Sequence, residues 1–138
     1  MLAAIPLLVI PVVAYAVLAL SLGGGLTSIH VQARLTRPLF DLSTVGGGVW
    51  PVSATDLLLA AALIVAFMDL IRGMGDARAA MVNHALSIVL FVACLAAMLV
   101  APAFANSTFF LITLMVLLDL AAGFIATMGR ASDEGPAR

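Results

Sequence analysis

Asp119 is the residue with the clearest potential for chemistry, because it lies near the middle of an almost unbroken apolar run from Asn106 to Arg130. A carboxylate at the centre of a bilayer costs several kcal/mol, so such residues usually face the interior of a helix bundle. Two interpretations stay open: a proton- or cation-linked carboxylate, or a hydrogen bond to a neighbouring helix or partner subunit. No second motif converges on Asp119, so we interpret it as a contact point between helices that can also carry a proton.

Asp69 has a simpler explanation within its own helix. Arg72 follows three residues later, on the same helical face. We therefore predict an interfacial ion pair between Asp69 and Arg72, with the Arg72 side chain extending towards water.

Asn83 and His84 are the remaining polar candidates, and we expect them to form an interfacial hydrogen-bonding group at the start of their helix. His30 falls on the opposite side of the predicted membrane, so the two histidines are not at the depth that a shared haem requires. The single cysteine, Cys94, lies in an apolar run, and we interpret it as a small hydrophobic residue. We expect no metal site and no cofactor.

Composition sets the class of the protein. Of the 138 residues, 64% are hydrophobic and 9% are charged, whereas a soluble domain is about half apolar and about a quarter charged. A chain this short cannot bury so much apolar surface in its own core, so we expect an integral membrane protein with the lipid bilayer as its solvent. The net charge of −1 offers no basic face for nucleic acid.

The elements that must position these residues are four transmembrane helices in a small all-α bundle. Apolar runs of about the length of a bilayer predict them at residues 2–22, 53–73, 82–101 and 107–128 of a membrane domain spanning residues 1–128. We expect a polar cytoplasmic tail over residues 129–138. Ser53 and Asp56 resemble a capping box at the start of the second helix, and Asn106 caps the fourth. Pro11 predicts a kink in the first helix.

The loop over residues 23–52 is the only substantial part outside the predicted helices. Its alternating residues 29–36 favour a strand, although a short amphipathic helix in the headgroup region stays an alternative. After Pro38 we expect a short helical turn. Trp50 is typical of a membrane interface.

Arginine placement predicts orientation. Four arginines fall on the side of both termini and two, Arg34 and Arg37, fall in the loop. The positive-inside rule therefore puts both termini in the cytoplasm and the loop outside. All six basic residues are arginine in a chain rich in Ala, Gly, Val and Leu, which favours a GC-rich bacterial source and the bacterial inner membrane.

Three functional hypotheses follow. The chain lacks a phosphate-binding loop, a serine nucleophile elbow and a zinc motif, so an enzyme acting on lipid or quinone is the least favoured. We predict a non-catalytic accessory or scaffold subunit of a larger membrane complex, whose partners are other membrane subunits or further copies of itself. The alternative is a homo-oligomeric small transporter or channel that uses Asp119.

Overall fold

The computed structural model of the protein describes residues 6–23, 30–72 and 77–133. Its elements in chain order are helix α1 (Val9–Gly23), helix α2 (Val31–Leu35), strands β1 (Pro38–Ser43) and β2 (Val49–Ser53), helix α3 (Ala54–Arg72), helix α4 (Ala77–Val100), a 3₁₀ turn (Pro102–Phe104) and helix α5 (Ser107–Asp133).

Helices α3, α4 and α5 are long and apolar enough to cross a membrane. At most 22% of the residues in each span are buried within the protein, so most of their apolar surface faces outwards. Such a surface matches lipid rather than water, and it indicates a membrane location. Helix α1 has 15 described helical residues, fewer than the roughly 20 that cross a bilayer. The predicted fourth span therefore stays a prediction.

The tightest packing lies where α5 begins and α1 crosses it. The rings of Tyr15, Phe104 and Phe109 contact one another, with the Tyr15 and Phe109 centroids 5.1 Å apart and those of Phe104 and Phe109 4.8 Å apart in an edge-to-face arrangement. All three side chains are buried. Such pairs add about 0.5–1.5 kcal/mol beyond the burial of their area, so this aromatic group fixes α1 against the α4–α5 connection.

Asn106 joins this aromatic group to the start of α5. Its Oδ1 accepts a hydrogen bond of 3.0 Å from the Phe109 backbone N–H, which confirms the predicted N-cap. Its Nδ2 donates to the Tyr15 hydroxyl and to the Ala103 carbonyl. One side chain therefore caps α5 and holds α1.

The capping box at the start of α3 is also confirmed. The Ser53 backbone N–H and hydroxyl both donate to Asp56 Oδ2, at 2.8 and 2.6 Å, and the Asp56 N–H lies 3.4 Å from Ser53 Oγ. Since β2 ends at Ser53 and α3 begins at Ala54, no linker separates the sheet from the helix.

The connection between α1 and α3 differs from the favoured prediction. Residues 31–35 form the short helix α2, which was the alternative, and not a strand. Val31 and Leu35 are its buried residues, and positions four apart lie on one face in a helix as well as in a strand. The alternating pattern was therefore ambiguous over so short a segment.

The predicted helical turn after Pro38 is wrong, because this segment is strand β1 of a two-stranded antiparallel sheet. Proline is tolerated at the first residue of a strand, where its missing N–H breaks no ladder bond. The turn closes with a 2.8 Å bond from the Thr44 N–H to the Gly48 carbonyl, and Gly47 supplies a φ of +79°. The long elements are helices, as the predicted all-α class requires, but the protein also contains a small two-stranded sheet.

Candidate functional site

The Asp69 carboxylate lies at the start of α1 and not in water. Asp69 is only 3% exposed, and it accepts hydrogen bonds from the backbone N–H groups of Leu7 and Leu8. The Asn83 side chain of α4 adds a further hydrogen bond. A carboxylate at a helix N-terminus also meets the positive end of the helix dipole. Asp69 is therefore a cap that one helix supplies to another.

These bonds complete the hydrogen bonding of the first turn of α1. Val9 and Ile10 donate to the carbonyls of Pro6 and Leu7, at 3.1 and 2.9 Å, and Pro11 has no N–H to satisfy. The N–H groups of Leu7 and Leu8, which come directly before the helix, donate to Asp69. Because the helix begins at Val9, Pro11 falls in its first turn, where the predicted loss of a backbone bond does not occur.

Arg72 contributes to the environment of Asp69 by charge. The Arg72 side chain is exposed, and its positive charge acts on the buried carboxylate. The hydrogen bonds of Asp69 go to Leu7, Leu8 and Asn83. The interfacial ion pair itself stays a prediction.

Asp119 of α5 meets α4 through Ser87. The Ser87 hydroxyl lies 3.1 Å from Asp119 Oδ2, and Ser87 is only 1% exposed. Ile112 and Val116 are fully buried at helical spacing before Asp119, so the carboxylate continues the inward face of α5. Thr113 donates instead to the Phe109 carbonyl of its own helix, at 2.9 Å.

His84 fits against α5 because residue 123 is a glycine. A Cβ atom at Gly123 would lie 2.8 Å from His84 Nδ1, closer than van der Waals contact permits. The imidazole also stacks near Phe124, with ring centroids 6.5 Å apart and planes at 25°. The charges of both His84 and Asp69 act on Asp119.

Five polar residues meet between α3, α4 and α5, and we call them the polar cluster: Asp69, Asn83, His84, Ser87 and Asp119. The structure brings together the candidate residues Asp69 and Asp119 and the predicted Asn83–His84 group. Three of its buried atoms have no hydrogen-bond partner in the described part of the chain: Asp69 Oδ2, Asn83 Oδ1 and His84 Nδ1.

Ser87 belongs to the polar cluster, and Gly123 lies beside it, against His84. Ser87 lies four and three residues after Asn83 and His84, and Gly123 lies four residues after Asp119. Those spacings put each pair on one helical face, and this signal was available in the sequence. The N–H groups of Leu7 and Leu8 had no such signal, because every residue except proline carries one.

A groove of about 220 Å³ between α3 and α5 reaches the cluster from its apolar side. Its lining is hydrophobic except for Asp119. The residues that line it are Leu63, Ala66, Phe67, Leu70, Met115, Leu118, Asp119 and Ala122. An apolar molecule can therefore approach the Asp119 carboxyl without crossing the polar cluster.

The polar cluster combines groups that can exchange protons with groups that hydrogen-bond to them. Carboxyls and an imidazole exist in protonated and deprotonated forms, and the Ser87 hydroxyl can donate or accept a hydrogen bond. Among the described residues, no three histidine, cysteine or acidic side chains are grouped so that they could hold a metal ion.

Replacing Asp69 by alanine should destabilise the protein by roughly 2–4 kcal/mol, because two buried N–H donors lose their acceptor. Asp69→Asn keeps an acceptor oxygen and should cost less. Unfolding in detergent measures the free energy, and hydrogen exchange at Leu7 and Leu8 should accelerate in Asp69→Ala. Arg72→Ala is the control. Equal losses in Arg72→Ala and Asp69→Ala would favour the ion pair over the cap.

Gly123→Ala should destabilise the protein by about 1–3 kcal/mol, because the new methyl group displaces the His84 ring. Gly129→Ala is the matched control on the same helix, since a Cβ atom there meets nothing within 4 Å and alanine favours helix by up to about 1 kcal/mol. Adding His84→Ala to Gly123→Ala should recover stability. If Gly123→Ala and Gly129→Ala behave alike, the close contact is not present.

Comparison of this chain with protein-family models, with curated proteins and with solved structures finds no match.

Proposed function

We propose that this chain is a non-catalytic accessory or scaffold subunit of a larger membrane complex. In this proposal it crosses the inner membrane of a bacterial cell four times, with both termini in the cytoplasm. The β1–β2 hairpin is then extracytoplasmic, and the polar cluster lies in the cytoplasmic half of the bundle. The arginine distribution supports this orientation, with four residues on one side and two on the other.

The exposed apolar face of the β1–β2 hairpin is the observation that carries the proposal. Phe40 pairs with Val52 and Leu42 pairs with Trp50, so these four side chains share one face of the sheet. Phe40, Leu42 and Trp50 are 46%, 45% and 55% exposed. The opposite face carries Asp41 and Ser43 and is more polar.

A two-stranded hairpin is only marginally stable in water by itself. In the described part of the chain, β1 and β2 pair only with each other, so each keeps one edge without a strand beside it. An apolar face together with open edges suits a partner that adds a strand or covers the face. This supports a role in assembly, because a partner would complete the sheet.

A change on the apolar face should therefore weaken the complex, whereas the same change on the other face should not. Leu42→Asp should reduce the co-purified partner chains at least tenfold, since about 1.4 kcal/mol of binding energy is a factor of ten. Val49→Asp is the matched control, because Val49 is 64% exposed on the opposite face. The measurement is gentle-detergent purification from host membranes with quantitative mass spectrometry.

Two results would contradict this proposal. One is a stable wild-type protomer that purifies without other chains. The other is an equal loss of partner chains in Leu42→Asp and Val49→Asp, which would indicate a general solubility effect of the new charge.

The second candidate function is a homo-oligomeric small transporter or channel. The polar cluster favours it, because two carboxyls with three unpartnered polar atoms lie among apolar helices. Such residues inside a bilayer are typical of ion and proton pathways. Four short helices rarely enclose a pathway alone, so this function requires several copies.

Asp119→Asn should abolish proton- or cation-coupled flux in liposomes while leaving the oligomer assembled. Asparagine keeps the size of the side chain and its ability to bond Ser87, but it cannot ionise. Flux assays with size measurements of the same preparation check this. Unchanged flux in Asp119→Asn would remove this candidate, and Asp56→Asn serves as the control for a carboxyl outside the cluster.

A further inference from the structure

We infer that the polar cluster is a proton-binding site in which Asp119 holds the proton and Asp69 is the fixed anion. This inference goes beyond the proposed function, because it assigns a ligand and two different roles to the carboxyls whether the chain assembles with partners or transports. Its starting point is that α3 and α5 bring two carboxyls close enough for the charge of one to act on the other.

Two neighbouring carboxyls in an apolar setting do not both ionise readily. Each loses the hydration it would have in water, and their negative charges repel each other. Burial and this repulsion together favour a proton on one of the two carboxyls. The question is which of the two residues keeps it.

Asp69 has the surroundings of an anion. The N–H groups of Leu7 and Leu8 donate to it, the Asn83 side chain adds a hydrogen bond, and the charge of Arg72 is favourable. The start of α1 contributes the positive end of its dipole. A proton on Asp69 would oppose these donors, so a negative charge is better stabilised here than on Asp119.

Asp119 has the surroundings of a neutral acid. Its one hydrogen-bond partner in the described part of the chain is the Ser87 hydroxyl, at 3.1 Å. A hydroxyl donates to a carboxylate and accepts from a protonated carboxyl, so this bond survives in either state. The α3–α5 groove on its other side is apolar. The charge of His84 favours ionisation of Asp119, but the described residues offer it no backbone donors like those of Leu7 and Leu8.

The unpartnered atoms of the cluster also indicate a shortage of donors. Asn83 Oδ1 can only accept a hydrogen bond, and Asp69 Oδ2 can only accept one while Asp69 is ionised. His84 Nδ1 accepts a hydrogen bond when the imidazole hydrogen is on Nε2. A proton bound at the cluster adds a donor to a set that is rich in acceptors. Arg72 of α3 acts by charge on Asp69, and His84 of α4 and Asp69 of α3 act by charge on Asp119.

Carbodiimide labelling of the wild-type protein in lipid nanodiscs tests the assignment without any substitution. An apolar carbodiimide reacts with protonated carboxyls, and the α3–α5 groove admits it to Asp119. Peptide mass spectrometry should find the adduct on Asp119 and not on Asp69, with labelling that falls as the pH rises. Replacing sodium by choline should leave the yield unchanged. An adduct on Asp69, or protection of Asp119 by sodium, would overturn the inference.

Infrared spectroscopy at about pH 6 gives an independent measurement, because carboxyls in water are ionised some two units above their pKa. The wild-type protein should have the C=O band of a buried carboxylic acid. The band should be absent in Asp119→Asn and retained in Asp69→Asn and Asp56→Asn. A band that survives in Asp119→Asn, or that is missing from the wild-type protein, would contradict the assignment even if one variant folds poorly.

Discussion

A backbone N–H group that is removed from water needs an acceptor, and the position of α1 depends on meeting this requirement. The Asp69 carboxylate of α3 accepts from the N–H groups of Leu7 and Leu8, which lie directly before α1. At the other end of the bundle, the Tyr15 hydroxyl bonds the Ala103 carbonyl at 3.1 Å and meets Asn106. Helix α1 is therefore held to α3 by its first residues and to the start of α5 by its middle.

Much of the polar chemistry could be predicted, because a polar residue is conspicuous in an apolar helix. Asp119, Asn83 and His84 were found in this way, and the caps formed by Asn106 and by Ser53 with Asp56 follow from local rules. What could not be predicted is which distant groups meet. Asp69 seemed to be explained by Arg72, three residues away, but its hydrogen bonds cross to a helix more than 60 residues earlier in the chain. A sequence does not show which backbone N–H groups will be met by a side chain from a distant helix.

The two proposed roles make different demands on the molecule. An assembly subunit needs a surface that another chain completes, and the exposed face with Leu42 and Trp50 supplies one. A proton site needs groups that exchange charge without disturbing the packing. Ser87 meets that need, since its hydroxyl can bond Asp119 in either protonation state. The hairpin and the polar cluster lie towards opposite ends of α3, so each can change without occupying the space of the other.

Helix α3 also gives the molecule a mechanical property. Because the sheet passes directly into α3 and the Ser53–Asp56 box closes that junction, no linker separates a movement of the hairpin from the helix. Sixteen residues separate Ser53 from Asp69, which is roughly 24 Å at 1.5 Å per residue. A tilt of the hairpin would therefore displace Asp69 sideways. Asp69 accepts hydrogen bonds from Leu7 and Leu8 at the start of α1, so the displacement would also reach that helix.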